Sequence, residues 1–386
     1  MLALAGTAQA SVSIFLIAPA LLIPVLHGRD HLSLARAGLL AAMPNLGMVL
    51  ALFAWGALAD HVGERIVLVA GLTLTAAVAA AAAAVDGLVA LGALLFVGGL
   101  SSASANAASG RVVVGWFAPD RRGLAMGIRQ IAQPVGVTVA AATVPVVADR
   151  YGIHWALVVP LVATALGALA CALALIEPVR EAHHRAARTR NPYRAGSFLW
   201  RIHAVSALLV VPQFTLSVFG LVWLVASQRW SVGAAGALVG ASQLVGSAGR
   251  IGIGVLSDRL GSRVRLLRAV AVASAGSMAL LALCGERHWS AAALVFVIAT
   301  TISVADNGLA FTAVAEFAGT GWAGRALGAQ NTGQFVAAAA VGPTMGALIA
   351  GVGYPGTFVV AAATAVLAVP FVPTRDARPA GSPDGS

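Results

Sequence analysis

The sequence predicts an all-α integral membrane protein of twelve transmembrane helices, arranged as two pseudo-symmetric six-helix bundles. Three observations carry this. The 386 residues are 59% hydrophobic and only 10% charged, where a soluble domain carries about a quarter charged residues. Apolar runs of about 20 residues, enough to cross a ~30 Å hydrocarbon core, succeed one another along the chain, and the mean hydropathy is +0.90. The third is a repeat. Gly56-Ala-Leu-Ala-Asp60-His-Val-Gly63-Glu-Arg65 returns as Gly254-Val-Leu-Ser-Asp258-Arg-Leu-Gly261-Ser-Arg263 at a constant offset of 198 residues. A recurrence half a chain apart describes two copies of one unit.

The first helix, 2–26, has no positively charged lead-in, and its apolar run passes through Pro19. It therefore reads as a spanning helix and not as a signal peptide. Because the run starts almost at Met1, a natural start upstream is expected. Helix 2 (35–58) and helix 3 (66–84) flank the first copy of the repeated turn. Helices 4 (88–117), 5 (123–148) and 6 (154–176) complete an amino-terminal bundle, 1–176. Residues 177–198 are polar and basic, with His183, His184, Arg185, Arg188, Arg190 and Arg194, and read as a solvated linker near lipid headgroups. Helices 7 to 12 follow at 199–227, 234–256, 266–284, 290–316, 325–352 and 354–373, the second bundle. The tail, 374–386, holds Pro379, Gly381, Pro383 and Gly385 and is expected to be disordered.

The net charge of +10 comes entirely from arginine, since the chain has no lysine. Nucleic-acid binding is not the reading, because the arginines are distributed by topology. Arg29, Arg36, Arg150, Arg229 and Arg287 fall at one set of alternate loops, Arg111, Arg129 and Arg250 fall inside apolar runs, and the rest lie at the other loops and the tail. The richer side is cytoplasmic by the positive-inside rule. An even helix count puts both termini there, in a cell inner (plasma) membrane. Cys171 and Cys284 lie singly in apolar runs, so neither a disulfide nor a metal site is expected. No HExxH, no GxSxG and no pair of intramembrane carboxylates is present, so an enzyme is not expected, and no cofactor is implied.

The pattern G-x-L-x-D-x-x-G-x-R between two apolar runs resembles the loop between helices 2 and 3 of the major facilitator superfamily of secondary transporters. A second duplicated stretch extends the resemblance to nearly the whole chain outside linker and tail. Gly123-Leu-Ala-Met-Gly127-Ile-Arg129-Gln130-Ile-Ala-Gln133 aligns with Gly324-Arg-Ala-Leu-Gly328-Ala-Gln330-Asn331-Thr-Gly-Gln334 at an offset of 201 residues. The resemblance implies alternating access, with helices 3, 6, 9 and 12 outside a central cavity. It also implies charge networks at the two turns that lock the cytoplasmic side and release during the switch. Gly63 and Gly261 permit the tight turn, Asp60 and Asp258 precede helix amino ends where negative charge is favoured, and Arg65 and Arg263 can bridge to neighbouring helices. Arg111 is expected at the same gate, with Glu316 or Asp60 as partner, and Arg250 as a structural partner of Asp258. The pattern departs at His61, Glu64 and Ser262, which makes the first lock weaker or pH-sensitive. Pro134 resembles part of a drug-antiporter motif, but Gln133 stands where glycine precedes it.

Polar side chains in hydrocarbon need a partner or water. Intramembrane amides fall in helices 1, 2, 4, 5, 7, 8, 10 and 11 and never in 3, 6, 9 or 12. Asn45 and Gln243 correspond at offset 198, and Asn106 with Asn307 and Gln133 with Gln334 at 201. Each lies ten to thirteen residues from its helix's cytoplasmic end, roughly 15–20 Å deep. Asn45, Asn106, Arg129, Gln130, Gln133, Gln213, Gln243, Asn307, Gln330, Asn331 and Gln334 are thus the candidate substrate-cavity residues; glue between helices is the alternative. Arg129, aligned with Gln330, suits an anion; lying near the cytoplasmic end of helix 5, it can equally be a structural arginine or one that snorkels to water. Asp306 sits near the midplane and is the candidate proton-coupling residue, with a static aspartate or a sodium ligand as alternatives; helix 1 has no acidic residue to assist it. The expected function is secondary transport of a small polar or anionic metabolite by a monomer in the bilayer, driven by H⁺. Proton-driven multidrug efflux is the alternative, against which stands an aromatic content of only 6%.

Overall fold

The computed structural model describes all residues except 29–30, 117–121, 177–190, 195, 288, 290, 320–321 and 377–386; within helices, a few side chains also lie outside the description, among them Asp60, Arg111 and Gln130. The described residues are nearly all helical, with no strand among them. Helix α1 runs Leu2–Leu21 and continues as Ile23–Gly28 beyond a turn just after Pro19. Then come α2 (Leu34–Val62), α3 (Glu64–Ala84), α4 (Leu88–Trp116), α5 (Arg122–Tyr151) and α6 (Ile153–Ala174). The second half has α7 (Phe198–Val222, ending in a π turn at Trp223–Ser227), α8 (Val232–Leu260) and α9 (Arg263–Arg287).

Two features refine the expected boundaries. Residues Ala323–Ala368 form one helical stretch apart from Gly353, whose φ of 72° and ψ of 178° are not helical. The parts before and after Gly353 are α11 and α12, so eleven long apolar stretches amount to the twelve expected helices. The other refinement concerns α10, expected as one helix over 290–316. It is broken into Ala292–Ser303 and Asp306–Ala318, with Val304 and Ala305 forming a tighter turn.

The chain forms two compact units. One gathers Met1–Glu181 with Ser217–Leu244 and Ala339–Ala350; the other gathers Ala182–Leu216, Val245–Ala338 and Gly351–Ser386. Within the first, α2 packs on α4, α3 on α4 and α6, and α1 on α5 and α6. Small residues make these crossings close: a Cβ added to Gly47 would overlap the Phe96 carbonyl, and one added to Gly136 the Ala10 carbonyl. The stretches from α8 and α11 join this unit the same way. Gly38 and Gly342 face each other backbone to backbone, Gly236 lies on the Ala141 carbonyl, and the Thr138 hydroxyl donates to the Gly240 carbonyl at 3.0 Å. Close approach through small residues is the standard route to helix packing in lipid, where no hydrophobic drive separates helix from acyl chain.

Within the second unit, Leu199, Ile202, Val205, Leu267, Leu309 and Val314 belong to one apolar core. Its ends are tied by charge. The Arg201 guanidinium donates to the carbonyls of Pro370, Phe371 and Val372, and Arg268 to those of Val372 and Pro373. Asp376 accepts the Val264 amide at 2.9 Å, capping the start of α9. The beginning of the expected tail is thus held, while 377–386 lies outside the described residues. Large apolar side chains such as Phe53, 87% exposed, and Leu173, 78% exposed, face outward as a lipid-embedded surface requires.

Gly342→Ala forces a methyl into the Gly38 backbone, a case of overpacking that costs about 1–3 kcal/mol. The solubilised protein is expected to melt several degrees lower than wild type, whereas Gly276→Ala, which has open space around it, leaves the melting temperature within a degree. Equal shifts for the two variants would show that the α2–α11 crossing has slack.

Candidate functional site

Each unit carries a chain of hydrogen-bonded polar groups at membrane depth. In the first, Arg129 Nη1 donates to Ser109 Oγ at 3.0 Å, and Ser109 Oγ donates to Gln9 Oε1 at 3.3 Å. Gln9 Nε2 then donates to Asn106 Oδ1 at 3.3 Å, and Asn106 Nδ2 points at the Met48 sulfur at 3.1 Å. The donors run one way, from the guanidinium on α5 through α4 and α1 to a thioether on α2. No carboxylate takes part. Arg129 Nε is buried and has no hydrogen-bond partner among the described residues.

The second unit repeats the theme with different members. Gln334 Nε2 donates to Asn307 Oδ1 at 2.8 Å, and Asn307 Nδ2 donates to Gln213 Oε1 at 3.2 Å. Asn106 and Asn307, equivalent by the repeat, are therefore hubs in both halves, each bonded to a glutamine on the first helix of its half. Gln9 is the partner on α1 and Gln213 on α7, with the donor direction reversed. Asn307 and Gln213 are half-buried and Gln334 is buried.

Of the other cavity candidates, Asn45, Gln243 and Asn331 are half-buried and Gln133 is exposed, whereas the Gln130 side chain lies outside the described residues. Gln330 is buried and belongs to a different set: it accepts from His203 Nδ1 and donates to Ser206 Oγ. His203 Nε2 in turn meets the Tyr193 hydroxyl at 3.0 Å. Gln9, Met48, Ser109, Tyr193, His203 and Ser206 were not among the sequence's site candidates. Gln9 was within reach of sequence reasoning, because helix 1 corresponds to helix 7, which carries Gln213. Serine, methionine and histidine carry no such signal until their neighbours are known.

Asp306 begins the second piece of α10 and is only 1% exposed, and neither carboxylate oxygen has a hydrogen-bond partner from another side chain among the described residues. Arg250 on α8 is near enough for the two charges to interact. This corrects the expectation that Arg250 supports Asp258. Its Nε donates instead to the Val304 carbonyl at 3.2 Å, and its stem lies over Gly308. Gly246 and Gly249 pack against Val304 and Thr301. The absence of side chains at those glycines brings α8 close enough for Arg250 to occupy the carbonyl at the break. A side chain inserted into a helical ladder is a recognised cause of a kink.

The second repeated turn is formed as its residues suggest. Gly261 has φ 64°, and Gly63 in the first copy has φ 98°, both in the left-handed region where a Cβ is strained. Arg263 pairs with Asp258 at 2.5 Å and with Glu316 at 3.3 Å, and also reaches Ser257. Glu316 pairs with Arg263, and the side chain of Arg111, its expected partner, lies outside the described residues, like that of Asp60. In the first copy Arg65 donates to the Ala172 carbonyl at 2.6 Å, joining α3 to α6 beside a cleft of about 610 Å³ that includes none of the amides. Among the described residues no group of three or more metal-ligating side chains occurs.

Comparison with known proteins agrees with this architecture. Residues 3–343 match the family profile of the Major Facilitator Superfamily. An uncharacterised MFS-type transporter of Mycobacterium tuberculosis (strain ATCC 25618 / H37Rv) is 46% identical over 368 residues, covering 95% of this chain and 82% of the relative. Among solved structures, a D-xylose–proton symporter superposes with a TM-score of 0.80 at 14% identity, over 98% of this chain and 97% of the other. A bacterial homologue of the human lysosomal transporter Spinster, inward-facing and occupied, gives 0.79 at 15% identity, over 96% and 95%. At such identities these structures report the fold alone.

Removing one member of a buried charge pair leaves the other uncompensated, at a cost of about 3–5 kcal/mol. Arg250→Leu is expected to lower the melting temperature strongly, and Asp306→Asn added to it to restore a large part of the loss. A double-variant cycle with additive effects would show that Arg250 acts on the helix break and not on the aspartate.

Proposed function

The chain belongs to the major facilitator superfamily, and from that premise we propose that it is a proton-driven secondary transporter of a small organic anion. The observation that carries the substrate class is Arg129. Its charge heads a hydrogen-bonded chain without a carboxylate, and its Nε is buried and unpartnered. A buried guanidinium without a carboxylate partner favours a counter-charge, and its planar fork matches the two oxygens of a carboxylate or phosphate. Ser109 holds the guanidinium, and Gln9 and Asn106 in turn hold Ser109 within the same unit.

Asp306 supplies the coupling in this reading. An ionised aspartate at mid-membrane costs about 2.5 kcal/mol or more, and protonation removes that cost. Alternating access moves the group between environments, so that a proton taken up on one side is released on the other. The charged turns around Arg65 and Arg263 act as the switch, with Asp60 and Arg111 belonging to the first of them. The proposed setting is a monomer in the inner membrane with both termini cytoplasmic.

The test is a thermal-shift screen of the purified chain against mono- and dicarboxylates, sugar phosphates and neutral sugars. A ligand at a hundred times its Kd adds about 2.7 kcal/mol. A carboxylate or phosphate compound is expected to stabilise the wild type, and Arg129→Gln to lose that stabilisation by tenfold or more in affinity. Stabilisation by neutral sugars alone, unaffected by Arg129→Gln, would reject the anion reading. In proteoliposomes loaded with the anion so found, Asp306→Asn is expected to abolish accumulation driven by a pH gradient yet leave anion exchange intact. Undiminished gradient-driven accumulation would remove Asp306 from the coupling.

A further inference from the structure

His203 lies in the second turn of α7, on the unit formed by the second half of the chain, and both of its ring nitrogens face oxygen atoms. Nδ1 meets Gln330 Oε1 on α11 and Nε2 meets the Tyr193 hydroxyl at 3.0 Å. Gln330 is fixed in orientation because its own Nε2 donates to Ser206 Oγ. Its Oε1 therefore can only accept, and Nδ1 must carry a proton. A neutral imidazole then has Nε2 bare and accepts from the Tyr193 O–H. One further proton on Nε2 turns that bond around, with the tyrosine oxygen accepting and its own hydrogen swinging away. Burial pushes the Tyr193 hydroxyl above its ordinary range, so it stays an O–H throughout. The site satisfies the imidazole and the imidazolium equally well in count, and the imidazolium with two charge-assisted bonds.

Tyr193 does not belong to a membrane helix. It sits in the short turn Pro192–Arg194 of the linker, held by the bond from its own amide to Asn191 Oδ1 at 3.0 Å. Pro192 is buried, and the Tyr193 ring packs edge-on against Trp200 at 5.1 Å and Trp322 at 6.4 Å. Among the described residues, the charged groups on the elements around His203 are turned elsewhere. Arg201 and Arg268 hold the carbonyls of 370–373, Arg325 lies over the Trp322 ring, Arg263 and Glu316 hold each other, and Arg194 is exposed. We propose that His203 is a protonation site read by the linker, in which an imidazolium held between Gln330 and Tyr193 clamps the Pro192–Arg194 turn onto α7 and α11. The proton comes from water on the linker side, and its loss loosens the turn. Charge-assisted bonds are roughly twice as strong as neutral ones, so docking is tighter at low pH.

Among the described residues the site shares no hydrogen bond with Asp306 or Arg129, and it needs no knowledge of the cargo, so its test is independent of the transport assay. Full-length chain labelled with ¹⁵N-histidine in lipid nanodiscs is titrated by NMR from about pH 5 to pH 8.5, around the ordinary histidine range. The ring signals lost in His203→Gln identify the residue among the eight histidines. Expected is a titration confined to Nε2, with Nδ1 protonated at both ends. Trypsin cleavage after Arg194, measured as wild type relative to His203→Gln, is expected to fall roughly threefold or more between pH 8 and pH 5.5. Tyr193→Phe should keep the fold and lose that dependence. Ring signals unchanged over the whole range, or a cleavage ratio flat in the wild type, would overturn the proposal.

Discussion

An amide in hydrocarbon has no water to fall back on, so the structure depends on each polar side chain at mid-membrane finding its partner on another helix. Asn106 and Asn307 show how this constraint shapes the whole chain. Each joins two other helices of its own unit: Asn106 ties α4 to α1 and α2, and Asn307 ties α10 to α7 and α11. An asparagine in a soluble core would do the same with ordinary helix packing to assist it. Here the helices have no hydrophobic reason to prefer one another over lipid, and the close glycine crossings with these bonds fix the arrangement.

The duplication was legible because it leaves the same residue types at the same intervals. Twelve helices, the two turns and the break between α11 and α12 all followed from apolar runs punctuated by Gly, Asp and Arg, and Gly353 stands where the chain was expected to turn. The division of α10 was not legible. It has no proline, and its cause lies on another helix, in two glycines of α8 that let Arg250 reach the Val304 carbonyl. For the same reason Arg250 was expected beside Asp258. Eight residues along its own helix is near in sequence, but its partners are a non-local backbone carbonyl and Asp306, which no spacing rule links to it.

The site candidates divide along the same line. Amides stood out because amides are rare in an apolar run; Gln213, Asn307 and Gln334 bond to one another in their unit, and Asn106 bonds to Gln9 and Met48 in the other. Gln330 was grouped with them by alignment to Arg129, yet it bonds to His203 and Ser206. Equivalence in a repeat fixes the position of a residue on its helix. It does not fix the neighbour, because the two halves carry different side chains on the facing helices. A histidine five residues from the end of the polar linker reads as a boundary residue until Tyr193 is seen folded onto it.

The contrast between Arg129 and Asp306 bears on how a transporter of this kind stores its driving force. Arg129 is held by a neutral hydroxyl, and one guanidinium nitrogen is left with nothing to bind. Asp306 is enclosed, close to a cation already engaged with a backbone carbonyl, and begins a half-helix whose amino end favours negative charge. Both arrangements are incomplete, but in different senses. Among the described residues the arginine leaves its Nε without a partner, which in the proposed reading a solute supplies. The aspartate leaves its oxygens without a side-chain partner there, which in the same reading a proton or a movement of Arg250 supplies. Arg250 spends only its Nε on the Val304 carbonyl and has further donors to turn to a carboxylate, so one side chain touches both the break in α10 and the charge on Asp306. In the proposed coupling, charge on Asp306 and the shape of α10 are two readings of a single equilibrium, which is what a proton needs if it is to do mechanical work on a helix.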